Sequence, residues 1–328
     1  MRAFVTGATG FLGSRVARRL VARGDEVVAL AREGAAADAL AQAGAEIVRG
    51  DLGQLEPVLA RAAQCDVVYH VGARVATSGP WEEFFRVNVE ATQRLMDAAL
   101  AGRATRFVHV SSLGIFDIDR DGMEIGDESD YDRRPLLRGH YTRSKLDADR
   151  LACTEVRTGQ PVVVVRPGVL YGPKPAGQGV FLGRVKKFLN PDLLAVVSSP
   201  DYRVPLSYVE NAADAVVLAG TAPGVDRGIF NVIDDPDLTQ QRYFRTLSEV
   251  RPRPLRVVYL PVSLVSPAVR AVDMAHKLVK RRPWAVAYQL LRSERSARYS
   301  TEAARTKLGW TPAVDLRTSL QESLQAAA

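Results

Sequence analysis

Tyr141 and Lys145 are four positions apart in the stretch YTRSK, and both side chains can take part in proton transfer. In an α-helix, residues four apart lie on the same face, one above the other. A Lys ammonium close to a phenol stabilises the phenolate, so such a pair can exchange a proton with a substrate oxygen. An ordinary helical Tyr and Lys would show the same spacing, and the surrounding elements must decide between these interpretations.

A second group of residues with chemical meaning lies at the N-terminus, in FVTGATGFLG. Gly7, Gly10 and Gly13 stand between an apolar run typical of a strand and a helical pattern. In this context the first glycine allows a tight turn and the second lets the main chain approach a pyrophosphate. The third lets the helix pack on the sheet, and the helix N-terminus then faces the phosphates. The spacing therefore predicts a dinucleotide-binding loop.

Two further positions bear on which dinucleotide would bind. The second predicted strand ends in VVALAREG, where a site for NAD usually has Asp or Glu to hold the ribose 2′-hydroxyl. This chain has Arg32 there, which favours the 2′-phosphate of NADP(H), whereas the adjacent Glu33 keeps NAD open. Asp51, after the third strand, is predicted either to accept a hydrogen bond from the adenine amino group or to cap a turn.

The elements that must position these residues alternate through the first half of the chain. Six apolar runs rich in β-branched residues indicate buried strands: RAFVTG, EVVAL, AEIVRGD, DVVYHVGA, RFVHVSS and PVVVVRPG. Helical patterns such as FLGSRVARRLVARG and EEFFRVNVEATQRLMDAALAG separate them, each closed by a glycine suited to the position after a helix. This alternation predicts an α/β fold with a doubly wound parallel sheet of the Rossmann type over residues 1–170.

After position 171 the pattern changes to proline and glycine punctuation, a strand and helix in VPLSYVENAADAVVLAG, a strand in GIFNVID, and then helices. We expect residues 171–328 to form a smaller substrate-binding lobe, with segments that return to the main sheet. The Ala-rich tract EGAAADALAQAGA is interpreted as a surface helix.

Composition excludes several classes of protein. The 328 residues are 47% hydrophobic and 25% charged, which is typical of a globular chain and not of a disordered or fibrous one. The sequence shows neither an apolar run of membrane-spanning length nor a signal-peptide pattern, which predicts a cytoplasmic protein. The net charge of +7 comes without a recognition motif, which argues against nucleic acid binding.

Cysteine and histidine usage argues against a metal site. Cys65 and Cys153 fit no metal-ligand or redox spacing, and the four His residues form no ligand cluster in the sequence. We therefore expect two buried thiols, and histidines that serve packing or hydrogen bonding.

Seven motifs occur in the order and approximate spacing of a known family: TGATGFLG, GDL, HVGA, VNVEAT, VSSLGIF, YTRSK and RPGVLYGP. Over nearly its whole length the chain resembles the extended short-chain dehydrogenase/reductases, which form the superfamily of NAD-dependent epimerases and dehydratases. The resemblance implies a Ser-Tyr-Lys active site made of Ser112, Tyr141 and Lys145, with Asn88 supporting the Lys side. It favours the catalytic interpretation of Tyr141 and Lys145.

The resemblance also implies a role for each residue. Tyr141 would exchange a proton with the substrate oxygen, and Lys145 would in addition hold the nicotinamide ribose. The Lys145 ammonium, with a positively charged oxidised nicotinamide nearby, is expected to lower the pKa of the Tyr141 phenol. Ser112 would hydrogen-bond the reacting oxygen, and it is preferred to Ser111 because it matches the family position. The cofactor, NADP with NAD as the alternative, is expected to contact Gly7, Thr9, Gly10, Phe11, Leu12, Arg32, Asp51, Leu52, Val71, Ala73, Tyr141, Lys145, Pro167 and Val169.

The segment YRVPLSYVEN bears on the substrate. Sugar-nucleotide members of the family generally carry an Arg that grips a diphosphate at the position held here by Val204, with Arg203 one residue early. The segment is more similar to that of 3β-hydroxysteroid and sterol dehydrogenases, a branch that includes reductases of long-chain β-keto acids. The resemblance thus implies alcohol and ketone interconversion on a lipophilic substrate, with a nucleotide-sugar 4-epimerase or related sugar-nucleotide-modifying enzyme as the alternative.

Two features suggest contacts with other surfaces. Residues 262–284 combine apolar positions with a cationic end, a pattern that fits a core-facing helix, a lid over a greasy substrate or a peripheral membrane contact. The apolar positions are Val265, Val269, Val272, Leu278 and Val279, and the cations are Lys277, Lys280, Arg281 and Arg282. By analogy with the family, the helices at 82–102 and 141–159 are expected to form the seam of a homodimer.

Overall fold

A computed structural model describes residues 1–76, 78–118, 121–127, 131, 135–173, 192–264, 266–268, 271, 274 and 295–326. The strands are β1 (Arg2–Thr6), β2 (Glu26–Ala31), β3 (Glu46–Arg49), β4 (Val67–His70), β5 (Arg106–Val110), β6 (Met123–Ile125), β7 (Val162–Pro167), β8 (Val169–Tyr171), β9 (Leu193–Val197), β10 (Leu206–Tyr208), β11 (Gly228–Val232), β12 (Arg256–Leu260) and β13 (Ala297–Tyr299).

The α-helices are α1 (Gly13–Ala22), α2 (Ala35–Gln42), α3 (Glu56–Ala62), α4 (Trp81–Phe84), α5 (Ala91–Ala101), α6 (His140–Arg157), α7 (Val209–Thr221), α8 (Gln240–Val250), α9 (Glu302–Thr306) and α10 (Leu316–Gln325). A π-helical turn, Phe85–Glu90, joins α4 to α5, and short 3₁₀ turns cover Leu113–Ile115 and Pro135–Arg138.

Seven of the strands form one parallel sheet in the order β11-β7-β5-β4-β1-β2-β3. The strands are nearly continuous runs of Val, Ala and Phe because both faces of the sheet are covered. Helices α1 and α7 pack on one face, and α3, α5 and α6 pack on the other. This is the predicted doubly wound Rossmann-type fold, and the sequence interpretation of its class is confirmed.

The strand order reverses between β1 and β4, which opens a crevice at the carboxyl ends of these two strands. Gly7 follows β1, and Gly72 lies two residues after β4. A Cβ atom built on Gly7 would lie 2.7 Å from the Cα of Gly72, so the two chain segments touch. The predicted dinucleotide loop is therefore at the switch point of the sheet.

Beyond residue 171 the chain forms small sheets and rejoins the main one. Strand β10 pairs with β8, β12 pairs with β9, and β11 adds to the edge of the main sheet beside β7. A separate apolar core, which includes Tyr171, Leu206 and Tyr243, lies under α8 and α10. The division at residue 170 stays a prediction.

Several local interpretations can be compared with these elements. The Ala-rich tract forms the short helix α2, and Cys65 and Cys153 are both buried free thiols, as expected. Gly24 follows α1 with φ +85°, as a glycine after a helix should. Gly102 differs, because its φ is −88° and a Cβ there would lie 2.3 Å from the Ala63 carbonyl oxygen. That glycine is needed for close packing against Ala63 and not for a left-handed turn.

The predicted surface contacts receive no test from the structure. Val265, Val269, Val272, Lys277, Leu278, Val279, Lys280, Arg281 and Arg282 all lie outside the described residues. Among the described residues, no helix is long and apolar enough to cross a membrane. The homodimer seam and the peripheral membrane contact stay predictions.

Candidate active site

The glycine loop is held in a tight turn directly after β1. Gly7 has φ +66°, a region that favours glycine, and its carbonyl oxygen accepts a hydrogen bond from the main-chain N–H of Gly10 at 2.8 Å. A Cβ on Gly13 would lie only 2.1 Å from the Gly7 carbonyl oxygen. Each of these glycines therefore meets a steric demand that another residue could not meet without moving the main chain.

The start of α1 is suited to an anion. No side chain caps this helix N-terminus, and its first turn carries no acidic residue. Thr9 and Gly10 are exposed in the loop before it, whereas Leu12 is buried and Phe11 half-buried. An uncapped helix N-terminus beside an exposed glycine offers main-chain N–H groups and a favourable dipole to a phosphate. This geometry fits the pyrophosphate of a dinucleotide.

Arg32 and Asp51 lie at the adjacent carboxyl ends of β2 and β3. Arg32 is exposed directly after β2, and its carbonyl oxygen accepts a hydrogen bond from Nη1 of Arg49 at 3.3 Å. Asp51 is also exposed, and its Oδ1 accepts from the main-chain N–H of Gly53 at 2.8 Å. Asp51 therefore caps this turn, as one of the two interpretations predicted. Its contact with adenine stays a prediction.

The other predicted cofactor positions surround the same crevice. Leu52 is buried, and a Cβ built on Gly72 would lie 2.9 Å from its Cδ1. Val71 and Ala73, which flank that glycine after β4, are half-buried. Pro167 ends β7 and is buried, whereas Val169 begins β8 and is exposed. These residues come from four different strand ends that meet at one edge.

Tyr141 and Lys145 lie in the first two turns of α6, on one face. Nζ of Lys145 donates a hydrogen bond to the Val110 carbonyl oxygen at 2.7 Å, which brings the lysine to the last residue of β5. Lys145 is buried, and Tyr141 is partly exposed. Within the described chain, the Tyr141 hydroxyl makes no hydrogen bond. It therefore remains open to a ligand.

Burial shifts the pKa values of the two groups in opposite directions. It raises the pKa of Tyr141 to about 12, because the phenolate would lose its hydration. It lowers the pKa of Lys145 to about 8, although the negative charge of Asp149 partly opposes this. The lower phenol pKa predicted beside Lys145 and a bound oxidised nicotinamide stays a prediction, because these values describe the chain alone. In the chain by itself, Tyr141 is a protonated phenol at neutral pH.

Ser112 follows β5 and begins the 3₁₀ turn. Its Oγ accepts a hydrogen bond from the main-chain N–H of Gly114 at 3.0 Å, which leaves its own proton available to donate. Ser112 is half-buried, whereas Ser111 is buried at the end of the strand. The preference for Ser112 over Ser111 stays a prediction.

Asn88 lies in the π-helical turn and is buried. Its Oδ1 accepts from the main-chain N–H of Arg74 at 2.7 Å, and its Nδ2 donates to Oγ of Ser144 at 2.8 Å. Ser144 in turn donates to the carbonyl oxygen of Tyr141 at 2.9 Å. Asn88 thus supports the first turn of α6, which carries Tyr141, through Ser144. Such π-helical turns occur frequently at functional sites.

Sequence reasoning missed a buried ion pair beneath these residues. Arg166 of β7 and Asp149 of α6 are both inaccessible to solvent and are joined by two hydrogen bonds, Nε to Oδ1 at 2.9 Å and Nη2 to Oδ2 at 2.7 Å. The signal was in the sequence, because an Arg that ends the run VVVVR in a fully buried strand must have a partner. Asp149, one turn after Lys145, was the available carboxylate.

The remaining groups do not suggest different chemistry. Among the described residues, no cluster of His, Cys, Asp and Glu could hold a metal ion. Burial lowers the pKa of His70 to about 3 and lowers that of His109 as well, so both are neutral. The site has the parts for binding a dinucleotide and for moving a proton at Tyr141.

Comparison with known proteins places the chain in a family. Residues 3–232 match the model of the NAD dependent epimerase/dehydratase family. A 4-hydroxy-2-methyl-3-oxo-4-farnesyl-3,4-dihydroquinoline-1-oxide ketoreductase of Stigmatella aurantiaca is 31% identical over 248 residues, which are 75% of this chain and 72% of that protein.

Two further relatives cover most of both chains. A 2-alkyl-3-oxoalkanoate reductase of Shewanella oneidensis is 25% identical over 97% of this chain and 84% of its own length. A decarboxylating sterol-4-alpha-carboxylate 3-dehydrogenase of Dictyostelium discoideum is 24% identical over 97% of this chain and 98% of its own length.

Solved structures share the fold. The crystal structure of gox2253 superimposes with a TM-score of 0.80 at 22% identity and covers 99% of this chain and 97% of its own. A UDP-glucuronic acid 4-epimerase of Bacillus cereus in complex with NAD has a TM-score of 0.75 at 18% identity, with 99% and 98% covered. The family match and the relative from Stigmatella aurantiaca identify the chain as a member of the NAD dependent epimerase/dehydratase family, an NAD(P)-dependent dehydrogenase/reductase of the extended short-chain type.

Proposed function

We propose that this enzyme interconverts a secondary alcohol and a ketone on a lipophilic substrate, with NADP(H) as the hydride carrier. The substrate class is a 3β-hydroxysteroid, a sterol or a long-chain β-hydroxy or β-keto compound. One combination of residues carries the proposal. The chain has a proton-transfer residue, Tyr141, but has the apolar Val204 at the position where a sugar-nucleotide enzyme would need a cation to bind the diphosphate.

The proposed roles follow from the contacts of each side chain. A nicotinamide dinucleotide supplies or accepts the hydride. Tyr141 is a protonated phenol at neutral pH, and it donates its proton to the carbonyl oxygen when a ketone is reduced. Ser112 donates its free hydroxyl proton to the same oxygen and orients it. Lys145, fixed on the Val110 carbonyl, would hydrogen-bond the nicotinamide ribose.

The predicted lowering of the Tyr141 pKa belongs to the oxidative direction. Alcohol oxidation needs a phenolate, and burial opposes its formation in the protein alone. The added positive charge of an oxidised nicotinamide would favour it. We therefore propose that ketone reduction is the direction for which the chain's own electrostatics are better suited at neutral pH.

Two neighbouring residues argue against a sugar-nucleotide substrate. Val204, at the position where sugar-nucleotide members generally have the diphosphate-binding Arg, is buried in the apolar core of the smaller lobe. Arg203 lies beside it, but its Nε is 3.4 Å from Oδ1 of Asp237. A cation already paired with a carboxylate is a poor grip for a diphosphate. The names of the Shewanella reductase and the Dictyostelium sterol dehydrogenase support the same substrate class.

Arg32 and Arg49 support the choice of NADP(H). Arg32 makes no side-chain hydrogen bond within the described chain, and it is exposed at the end of β2. Arg49, which is opposite Ala31 in the sheet register, binds the Arg32 carbonyl and Asp38. Arg32 is thus free to pair with a 2′-phosphate, and Arg49 fixes the main chain from which it extends.

The test follows the absorbance of reduced nicotinamide while the purified protein meets NADP(H) or NAD(H) and a panel of steroids and long-chain β-hydroxy and β-keto acids. We expect turnover of a lipophilic substrate, and a loss of roughly a hundredfold or more in kcat for Tyr141→Phe. Tyr259→Phe is the matched control, because it removes a phenol hydroxyl from β12 in the smaller lobe. Conversion of a nucleotide sugar without net change in the nicotinamide, and no lipid turnover, would establish the 4-epimerase instead.

A further inference from the structure

A chain of buried hydrogen bonds connects the glycine-loop strand to the helix that carries Tyr141. Thr6 and His70 end β1 and β4 and are directly opposite each other in the sheet register. Oγ1 of Thr6 lies 2.9 Å from Nδ1 of His70. Nε2 of His70 lies 2.8 Å from Oγ1 of Thr92, which is in α5. All three side chains are buried, so each polar atom needs a protein partner.

The fixed donors and acceptors at the two ends settle the direction of every bond. At one end the main-chain N–H of Gly72 donates to Oγ1 of Thr6 at 3.0 Å. At the other end the hydroxyl of Thr92 donates to the Asn88 carbonyl oxygen at 2.7 Å, because a carbonyl can only accept. The single proton of Thr92 is thereby used. Nε2 of His70 must then donate to Thr92, and Nδ1 must accept the proton of Thr6.

A second set of hydrogen bonds begins at the side chain of the same Asn88 and reaches the catalytic helix. Asn88 donates from Nδ2 to Ser144, and Ser144 donates to the Tyr141 carbonyl oxygen. The main chain and the side chain of Asn88 are thus both held, the first by Thr92 and the second by Arg74 and Ser144. These contacts hold the π-helical turn from outside its own helix.

We propose that His70, as a neutral imidazole with its proton on Nε2, is a positioning residue that fixes the π-helical turn at Asn88 and thereby the position of Tyr141 relative to the nicotinamide site. The inference rests on the proposed role of Tyr141 in proton transfer. His70 touches neither substrate nor reacting atoms in this scheme. It acts through Thr92, Asn88 and Ser144, and it couples them to the loop that binds the dinucleotide.

The tautomer is tested first, because it does not depend on activity. Nitrogen-15 NMR of the histidine-labelled protein separates a protonated ring nitrogen from an unprotonated one, and a His70→Gln spectrum assigns the signal. We expect Nε2 of His70 to be protonated and Nδ1 to be unprotonated at neutral pH. A proton on Nδ1 would reverse the direction of the chain and overturn the proposal.

Two matched pairs of variants then separate positioning from general stability. Thr92→Val removes both hydrogen bonds of that hydroxyl at constant shape, whereas Thr92→Ser keeps them. His70→Gln places an amide N–H where Nε2 was and can reach Thr92, whereas His70→Asn keeps only the contact with Thr6. We expect Thr92→Val to have a kcat roughly tenfold to a hundredfold below that of Thr92→Ser. We expect the same loss for His70→Asn relative to His70→Gln.

The readouts are chosen so that the two proposals can fail separately. KM for the nicotinamide should change much less than kcat, and exchange of the main-chain amides in residues 140–145 should speed up in Thr92→Val but not in Thr92→Ser. Equal kcat and equal amide exchange within each pair would overturn the role of His70. If Tyr141→Phe keeps full turnover, the proposed function fails, and the tautomer and amide exchange still decide whether His70 positions the turn.

Discussion

The carboxylate of Asp149 is held by two nitrogens of the Arg166 guanidinium, one helical turn beyond Lys145. Burial alone would raise the pKa of Asp149, but the charge and hydrogen bonds of Arg166 outweigh it and lower that pKa. Arg166 also donates to the Asp127 carbonyl oxygen, and its guanidinium lies 5.1 Å from the centroid of the Phe116 ring. The pair thus ties α6 to β7 and to the segment after β5, around the residues that carry Ser112 and Lys145.

We predict that removing one partner of the Asp149–Arg166 pair lowers the free energy of unfolding more than replacing both partners with apolar residues does. Asp149→Asn or Arg166→Met should each lower the free energy of unfolding by about 3–5 kcal/mol, because one buried charge loses its partner. The double variant Asp149→Leu/Arg166→Met should recover most of that loss. Glu249→Gln, in an exposed pair with Arg317, should change stability by less than about 1 kcal/mol. Chemical denaturation measures all four, and additive losses in the double variant would contradict the expectation.

The Asp149–Arg166 pair should also make the stability of the protein depend on pH in the acid range. The folded pKa of Asp149 lies below its ordinary value of 3.8, so its contribution to stability is present above that value and is lost as the pH falls through the folded pKa. Wild-type protein should therefore lose more stability than Asp149→Asn between pH 5 and acid below about pH 3. Unfolding by urea at a series of pH values measures this, and parallel curves would contradict it.

Burial of the Lys145 ammonium should lower the stability of the protein by an amount that changes with pH in the alkaline range. Its folded pKa of about 8 lies below the ordinary 10.5, so the cost of burying the ammonium is fully present below pH 8 and disappears as the pH rises toward 10.5. Lys145→Met should therefore be more stable than wild type at pH 7, by up to roughly 3 kcal/mol before the lost bond to Val110 is counted. The difference should shrink as the pH rises above 8. Lys307→Met makes the same change at an exposed lysine and serves as the matched control.

Arg32 should decide between the two nicotinamide dinucleotides. Arg32→Ala removes the cation proposed for the 2′-phosphate and should weaken binding of reduced NADP by roughly tenfold to a hundredfold, with little effect on reduced NAD. Arg253→Ala makes the same change of charge at an exposed site in the smaller lobe. Titration by fluorescence of the reduced cofactor measures both affinities. Equal weakening of both dinucleotides would show that Arg32 does not read the phosphate.

The glycine loop offers a comparison between Gly13, at the start of α1, and Gly24, just beyond its end. Gly13→Ala would bring a Cβ to 2.1 Å from the Gly7 carbonyl oxygen, so the loop must move and dinucleotide binding should be lost. Gly24→Ala meets nothing within 4 Å and should cost only about 1 kcal/mol for its positive φ. Thermal unfolding with and without NADP measures both effects, and stabilisation of Gly13→Ala by NADP equal to that of wild type would refute the steric argument.

Local patterns were enough to predict the main sheet and the dinucleotide loop. The strands RAFVTG and PVVVVRPG are buried on both faces, and such strands keep a continuous apolar signature that can be read without any contact. The glycines at 7, 10 and 13 are similarly legible, because only glycine meets the steric demands of that turn.

Contacts between segments that are distant in the sequence could not be predicted from local patterns. Asp149 and Arg166 belong to different elements, and their pairing depends on how α6 packs on β7. Thr6, His70 and Thr92 share a hydrogen-bond chain only because β1 and β4 are neighbours in the sheet and α5 covers them. The predicted lowering of the Tyr141 pKa depends on the charges of Lys145 and of a bound oxidised nicotinamide and stays a prediction. In the chain alone burial raises that pKa, and burial depends on all the surrounding segments.

The sequence by itself therefore determined the fold class, the dinucleotide loop and the identity of the Tyr and Lys on one helical face. These features depend on residue type and on spacing within one element, which the linear order preserves. The tertiary structure alone decided which polar groups are paired and which are open to a ligand. Those properties arise from desolvation and from partners brought together across the chain, and no local pattern records them.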